Sequence, residues 1–198
     1  MRALKILLCV VTGLFLSLSV SASPATPQGD AAFAARFGDG FFARYWQWNP
    51  DYAISQGYYV TADQLRPFDA HERAGYVRWL GAEIAALKRF DPAQLSPQLR
   101  ADQAILENQL ASERWAITDL RSWAWNPANY NVAEPIALLL NTPYAPLDVR
   151  LRTVSRRLAQ VPAYYATAKA NVARPTREHT ALAIDQNAGV EDVLGAEL

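Results

Sequence analysis

The sequence predicts an all-α fold, an irregular multi-helix array with antiparallel helical hairpins. Three observations predict it. Apolar residues recur at spacings of three and four in one segment after another, capping residues precede several of those segments, and strand signals do not recur. Hydrophobic residues make up 51% of the 198, which is enough for a packed core and argues against disorder. The 19 basic and 19 acidic residues cancel, so nothing in the charge favours a bulk electrostatic partner. Nucleic acid is excluded on the same ground, because little phosphate-neutralising excess exists.

The first element is a leader. Arg2 and Lys5 form a short positive region, Ile6 to Leu18 is apolar and uncharged, and Val20 and Ala22 are the small residues a signal peptidase reads. Cleavage is expected between Ala22 and Ser23, and residues 1–22 are then lost. The apolar stretch is shorter than the roughly 20 residues that span a bilayer, so no membrane anchor is expected after cleavage. Cys9 lies inside the apolar run after Leu7-Leu8, not at its end behind small residues, so lipidation is not expected. Cys9 is also the only cysteine, and the mature chain has no disulfide, thiolate nucleophile or cysteine-based zinc site. This suits a periplasmic or secreted protein with a sufficient core.

Residues 23–29 read as a flexible start to the mature chain, and residues 30–198 as one helical region. Asp30 is placed to cap a helix in which Phe33, Phe37, Phe41 and Tyr45 share one buried face. Pro50 suits the first position of a short helix over 51–56, with Gly57 as its stop. Asp69 and Glu72 have capping-box spacing before Val77, Leu80, Ile84 and Leu87, and Phe90-Asp91-Pro92 ends that helix. Ser96-Pro97 opens the next, with Leu99, Leu106 and Leu110 on one side, so the two form an antiparallel hairpin. Trp115 to Tyr130, with its tryptophans around Asn126-Pro127, reads as a partly buried loop. Glu134 to Leu140 is short and apolar. Leu147, Leu151, Val154 and Leu158 then run at helical spacing, leaving Arg150, Arg152, Arg156 and Arg157 to a solvated face. Val161-Pro162 permits a new helix start, and Thr176 to Leu198 is again helix-like.

No catalytic constellation assembles from these residues. His71-Glu72 opens like the zinc-binding pattern H-E-x-x-H, but Gly75 stands where the second histidine belongs, and Glu72 is taken as the capping acid. Glu178-His179 lacks a third ligand nearby, and His179 reads as a surface position. No nucleophile elbow, phosphate-cradling glycine loop or nominated carboxylate pair is present. The aromatics between Phe33 and Tyr59 could stack a sugar or peptide, although at this spacing they read as core.

A family resemblance goes further. The run Phe42 to Gly57, with its aromatic helix, Asn49-Pro50, Ala53 and closing Gly57, resembles the opening of a large bacterial family known as domain of unknown function 885. Leu99-Arg100-Ala101-Asp102 with Leu106, Trp125-Asn126-Pro127 with Tyr130, and Tyr144-Ala145-Pro146 with Arg150, Leu158 and Val161-Pro162 are similar in the same order. The resemblance implies a mainly helical, zincin-like, exported zinc peptidase acting on peptides, of which this chain is the N-terminal part. In such proteins the H-E-x-x-P-G-H type metal motif lies far downstream of the matched region. No residue of it occurs here, so no zinc ligand, cofactor-binding residue or general base is carried over. Zinc is implied for the complete family protein alone. The competing expectation is a self-contained periplasmic helical binding or scaffolding protein. Oligomeric state is left open.

Overall fold

The computed structural model describes residues 27–196 except Pro67. The leader and the Ala22–Ser23 cleavage site lie outside those residues. The described chain is all-α, with no strand among its elements. Helix α1 (Pro27–Phe37) and α2 (Asp39–Trp48) replace the single aromatic helix expected there. The break falls at Gly38, whose backbone leaves the helical region, and a Cβ there would sit 2.5 Å from the Ala34 carbonyl oxygen. Gly38→Ala should therefore cost about 1–3 kcal/mol through this overpacking, read as a lowered thermal midpoint by circular dichroism. Asp30 is inside α1 and caps nothing there. Its carboxylate instead accepts from the Ser96 N–H at 2.8 Å, holding the start of another helix.

Helix α3 (Pro50–Ser55) begins at the proline and stops before Gly57, which adopts φ +79°. Helix α4 (Ala70–Leu87) is capped by Asp69, whose side chain accepts from the Glu72 N–H at 2.9 Å. Its buried face is Tyr76, Leu80, Glu83 and Leu87, rotated from the purely apolar stripe the sequence suggested. Glu83 is tolerated inside because Arg36 of α1 pairs with it at 2.5 Å. A 3₁₀ turn over Pro92–Gln94 leads to α5 (Pro97–Trp115), at whose cap position Ser96 makes no side-chain bond.

Helices α4 and α5 are the expected antiparallel hairpin. Gln103 reaches the carbonyls of Leu87 and Phe90 at 2.9 Å each, Lys88 meets Glu107 at 3.4 Å, and Tyr76 meets Glu113. Partners thus run up one helix as they run down the other. Gln103 is tolerated inside because its amide donates to the Leu87 carbonyl at the last residue of α4 and to the Phe90 carbonyl just beyond it.

The segment read as a loop is instead a string of helical turns. A π turn over Ala116–Leu120 ends at Arg121 (φ +52°), and 3₁₀ turns follow over Ser122–Ala124 and Pro127–Tyr130. Tryptophans organise it by donating: Trp123 Nε1 to the Ile117 carbonyl and Trp125 Nε1 to the Leu120 carbonyl, both at 3.0 Å. Helices α6 (Ala133–Asn141), α7 (Leu147–Leu158), α8 (Val161–Asn171) and α9 (Arg177–Ala196) complete the array.

Two cores result. One gathers Phe33, Phe37, Phe41 and Tyr45 against Tyr76, Leu80, Leu87 and Leu110. The other gathers Ile54 and Leu65 against Ile136, Leu139, Val154 and Tyr164. The aromatic face of α1 and α2 is therefore core, as its spacing required. Burying each such side chain contributes about 1.5–3 kcal/mol.

Candidate functional site at the seam of two cores

Between the two cores lies a cleft of about 350 Å³, within the range of small-ligand sites. The junction of α2 and α3 supplies Trp48, Asn49, Pro50, Asp51 and Tyr52. The segment before α4 supplies Arg66 and Phe68, the π turn Ala116 and Ile117, and the following turns Ser122, Trp123, Asn129 and Tyr130, with Tyr164 from α8.

Each polar group is held from behind. Asn49 Nδ2 donates to the Tyr45 carbonyl at 3.2 Å and to the Tyr76 hydroxyl at 2.6 Å, which orients its Oδ1 as an acceptor. Tyr76 and Tyr45 in turn donate to the two oxygens of Glu113, and Gln109 donates to the same carboxylate at 2.7 Å. Burial pushes the Tyr76 and Tyr45 phenols well above their usual range, and the Glu113 charge pushes them further. Both remain neutral donors at any physiological pH.

Asp51 pairs with Arg157 of α7. Arg157 is fully buried, and it also donates to the carbonyls of Ala62 at 3.2 Å and Gln64 at 2.6 Å. Burial pulls its guanidinium down to about 10. The expectation of a solvated arginine face thus fails at this residue. Arg152 and Arg156 are exposed, meeting Asp148 at 2.8 Å and Asp63 at 3.5 Å, while Arg150 donates to the Leu140 and Ala145 carbonyls. Leu147 and Leu151, expected on the buried side, are exposed, and Val154 carries that face.

Arg66 stacks over Trp48 at 4.6 Å, pairs with Glu72, and donates to the Gln47 carbonyl at 2.6 Å. Glu72 therefore braces a cleft residue and does not reach back to complete the capping box. Phe68 adopts φ +51°, costly for a non-glycine residue. Its carbonyl is pinned by Arg73 at 2.7 Å and Asn171 at 3.2 Å, and Arg73 lies 3.6 Å over the Trp123 ring. Burial lowers the Arg73 guanidinium and raises the Tyr130 and Tyr164 phenols. Perturbed groups cluster around this cleft, which is a signature of functional sites.

The histidines are elsewhere. His71 is exposed on the first turn of α4. Gly75, where a second zinc-binding histidine would stand, packs closely against a cleft residue: a Cβ there would meet Trp48 Cη2 at 3.1 Å, so any side chain needs the indole to shift. His179 is half-buried, with Nδ1 2.7 Å from Thr176 Oγ1 and its ring edge-on to Trp125 at 5.1 Å. Among the described residues no three His, Cys, Asp or Glu side chains gather to hold a metal, so the implied zinc does not fit these residues and no step is routed through it. Nor is any described helix long and apolar enough to cross a membrane. What the cleft can do is bind: it offers acceptors at Asn49 and Asp51, donors at Arg66 and Ser122, and apolar walls.

The fold and cleft define an all-α protein with a cleft at the seam of two helical cores. It belongs to DUF885, a family of bacterial proteins of unknown function, which matches over residues 50–197. A solved structure described as a "putative lipoprotein of unknown function" from Shewanella oneidensis is similar, with 39% identity and a TM-score of 0.77 over 80% of this chain. This chain spans 29% of that one. No curated protein matches it.

Proposed function

We propose that this chain is the N-terminal, non-catalytic portion of an exported zinc-metallopeptidase-like protein. The carrying observation is the length relation: a chain folded like the solved relative, at TM-score 0.77, corresponds to 29% of it. The order of the family-like stretches from Phe42 to Pro162 supports placing that part at the front. Export is supported by the leader pattern ending at Ala22 and by the relative's description as a lipoprotein. In this reading the helical array shapes and positions, and reactive groups come from elsewhere in the complete protein.

The test compares the exported chain with a full-length family protein on a set of blocked peptides with added zinc. Chelator-sensitive hydrolysis by the full-length protein alone is expected, together with an N-terminus at Ser23 by mass spectrometry. Turnover by this chain, or a full-length protein inert towards peptides, overturns the reading.

A further inference from the structure

We infer that the seam cleft is a side-chain pocket for an extended peptide, taking one uncharged apolar residue. The reasoning begins with charge. The charged lining residues are Asp51 and Arg66, and both are matched, by Arg157 and Glu72. Among the lining residues a charged ligand group would meet no unpaired counter-charge, and it would lose its hydration at a cost of several kcal/mol. A neutral group enters without that penalty.

Ring orientation comes next. Sugars bind aromatics through an open face, yet Trp48 carries the Arg66 guanidinium at 4.6 Å and the Tyr76 ring at 5.2 Å, and Trp123 carries Arg73 and Arg121 at 3.6 and 5.2 Å. With their π surfaces occupied, the indoles offer edges. Edges together with Ile117, Ala116 and Pro50 make an apolar socket, not a stacking platform. The volume, about 350 Å³, accommodates a large side chain with its adjoining amides.

Hydrogen bonding then selects a peptide. Asn49 Oδ1 is turned away from its two donor contacts, and Asp51 keeps its side chain 45% exposed although Arg157 holds Oδ1. These are acceptors for main-chain N–H groups, while the Ser122 hydroxyl, which accepts from Asn129 at 3.0 Å, retains its own proton for a carbonyl. A peptide unit presents this pairing of donor and acceptor beside an apolar side chain. The inference deepens the peptidase-like reading and rests on it for the polymer that carries the side chain.

The test uses the exported chain and its tryptophan fluorescence, because Trp48 and Trp123 both line the cleft. N-acetyl-Ala-Leu-Ala-amide should give saturable quenching or enhancement. The same peptide with central glutamate should bind at least about ten-fold more weakly, the order of discrimination a pocket of this kind supplies. Ala116→Trp, which fills the socket, should abolish the signal with helical content intact. If that variant does not fold, Tyr52→Ala at the half-exposed rim should weaken leucine-peptide binding. Equal affinity for the two peptides, no saturation, or binding of chitotriose in place of either peptide would overturn the assignment. Hydrolysis by a full-length family protein with no peptide bound here removes the pocket and leaves the earlier reading standing. Selective binding here beside an inert full-length protein does the reverse.

Discussion

Arg157→Met lowers the stability of the fold by about 3 kcal/mol, the expected consequence of leaving the buried Ala62 carbonyl and the part-buried Gln64 carbonyl without their donor. Among the described residues Arg157 is the largest fully buried side chain, and it fastens the segment between α3 and α4 to α7 by donating to Ala62 and Gln64 while pairing with Asp51. Gln160 works beside it, accepting from the Leu65 N–H at 3.1 Å and donating to the Asp63 carbonyl at 2.6 Å. Methionine matches much of the side chain's volume, so packing changes little. What is lost is the planar fork that reaches three acceptors at once. Lysine keeps the charge but not the fork, and Arg157→Lys should fall between wild type and methionine. Asp51→Asn should cost least, about 1 kcal/mol, because Asp51 is half-exposed and Arg157 keeps both carbonyls. Denaturant midpoints for the three variants decide the matter. A loss at Asp51 as large as that at Arg157 would show that the ion pair, not the carbonyl clamp, dominates.

The clamp also shows where sequence reading stops. Arg150, Arg152, Arg156 and Arg157 look alike in a helical repeat, and their common reading as a solvated face is right for Arg152 and Arg156. Only the approach of a distant segment, about a hundred residues away in sequence, turns Arg157 inward. Local signals behaved differently. Asp69 before α4, Pro50 at the start of α3 and Gly57 after it act through neighbours a few residues away, and each stands where its chemistry predicts. The α4–α5 hairpin follows because two amphipathic helices joined by a short turn have one economical way to bury their faces. The break at Gly38 was less legible: a steady four-residue aromatic repeat runs through it, and burial of Phe33, Phe37, Phe41 and Tyr45 survives the interruption. The turns from Ala116 to Tyr130 were misread because their stability comes from indole N–H groups reaching back to carbonyls, which no apolar period reports. The cleft was hidden for a related reason. Asn49-Pro50-Asp51 was visible as a helix boundary, but its side chains become a site only when the π turn and α8 close around them.

Alkaline pH should unfold the protein cooperatively, with tyrosinate absorbance rising as helical circular dichroism falls. The sign follows from linkage. An unfolded phenol ionises around pH 10, whereas burial raises the folded values of Tyr45, Tyr76, Tyr130, Tyr164 and Tyr165. The folded state then holds more protons than the unfolded one, so stability falls as pH increases. The contribution is fully present below pH 10 and is lost progressively above it. Arg157 acts in the opposite sense: burial pulls its folded value down to about 10, below its ordinary value, so the unfolded state holds the extra proton between the two and its term rises with pH. Arg73 is lowered by burial in the same way, but two guanidiniums do not offset five phenols, and the net slope is downward. Tyr76 and Tyr45 matter most, because ionising either beside Glu113 sets two negative charges at hydrogen-bond distance. Tyr76→Phe separates the roles. At neutral pH it should cost about 1–2 kcal/mol, since Glu113 loses a donor and Asn49 an acceptor. Above pH 10 the variant should lose stability less steeply than wild type, so the two curves converge. A smooth, non-cooperative tyrosinate titration with helicity unchanged would show that these phenols are reached by solvent in the folded state.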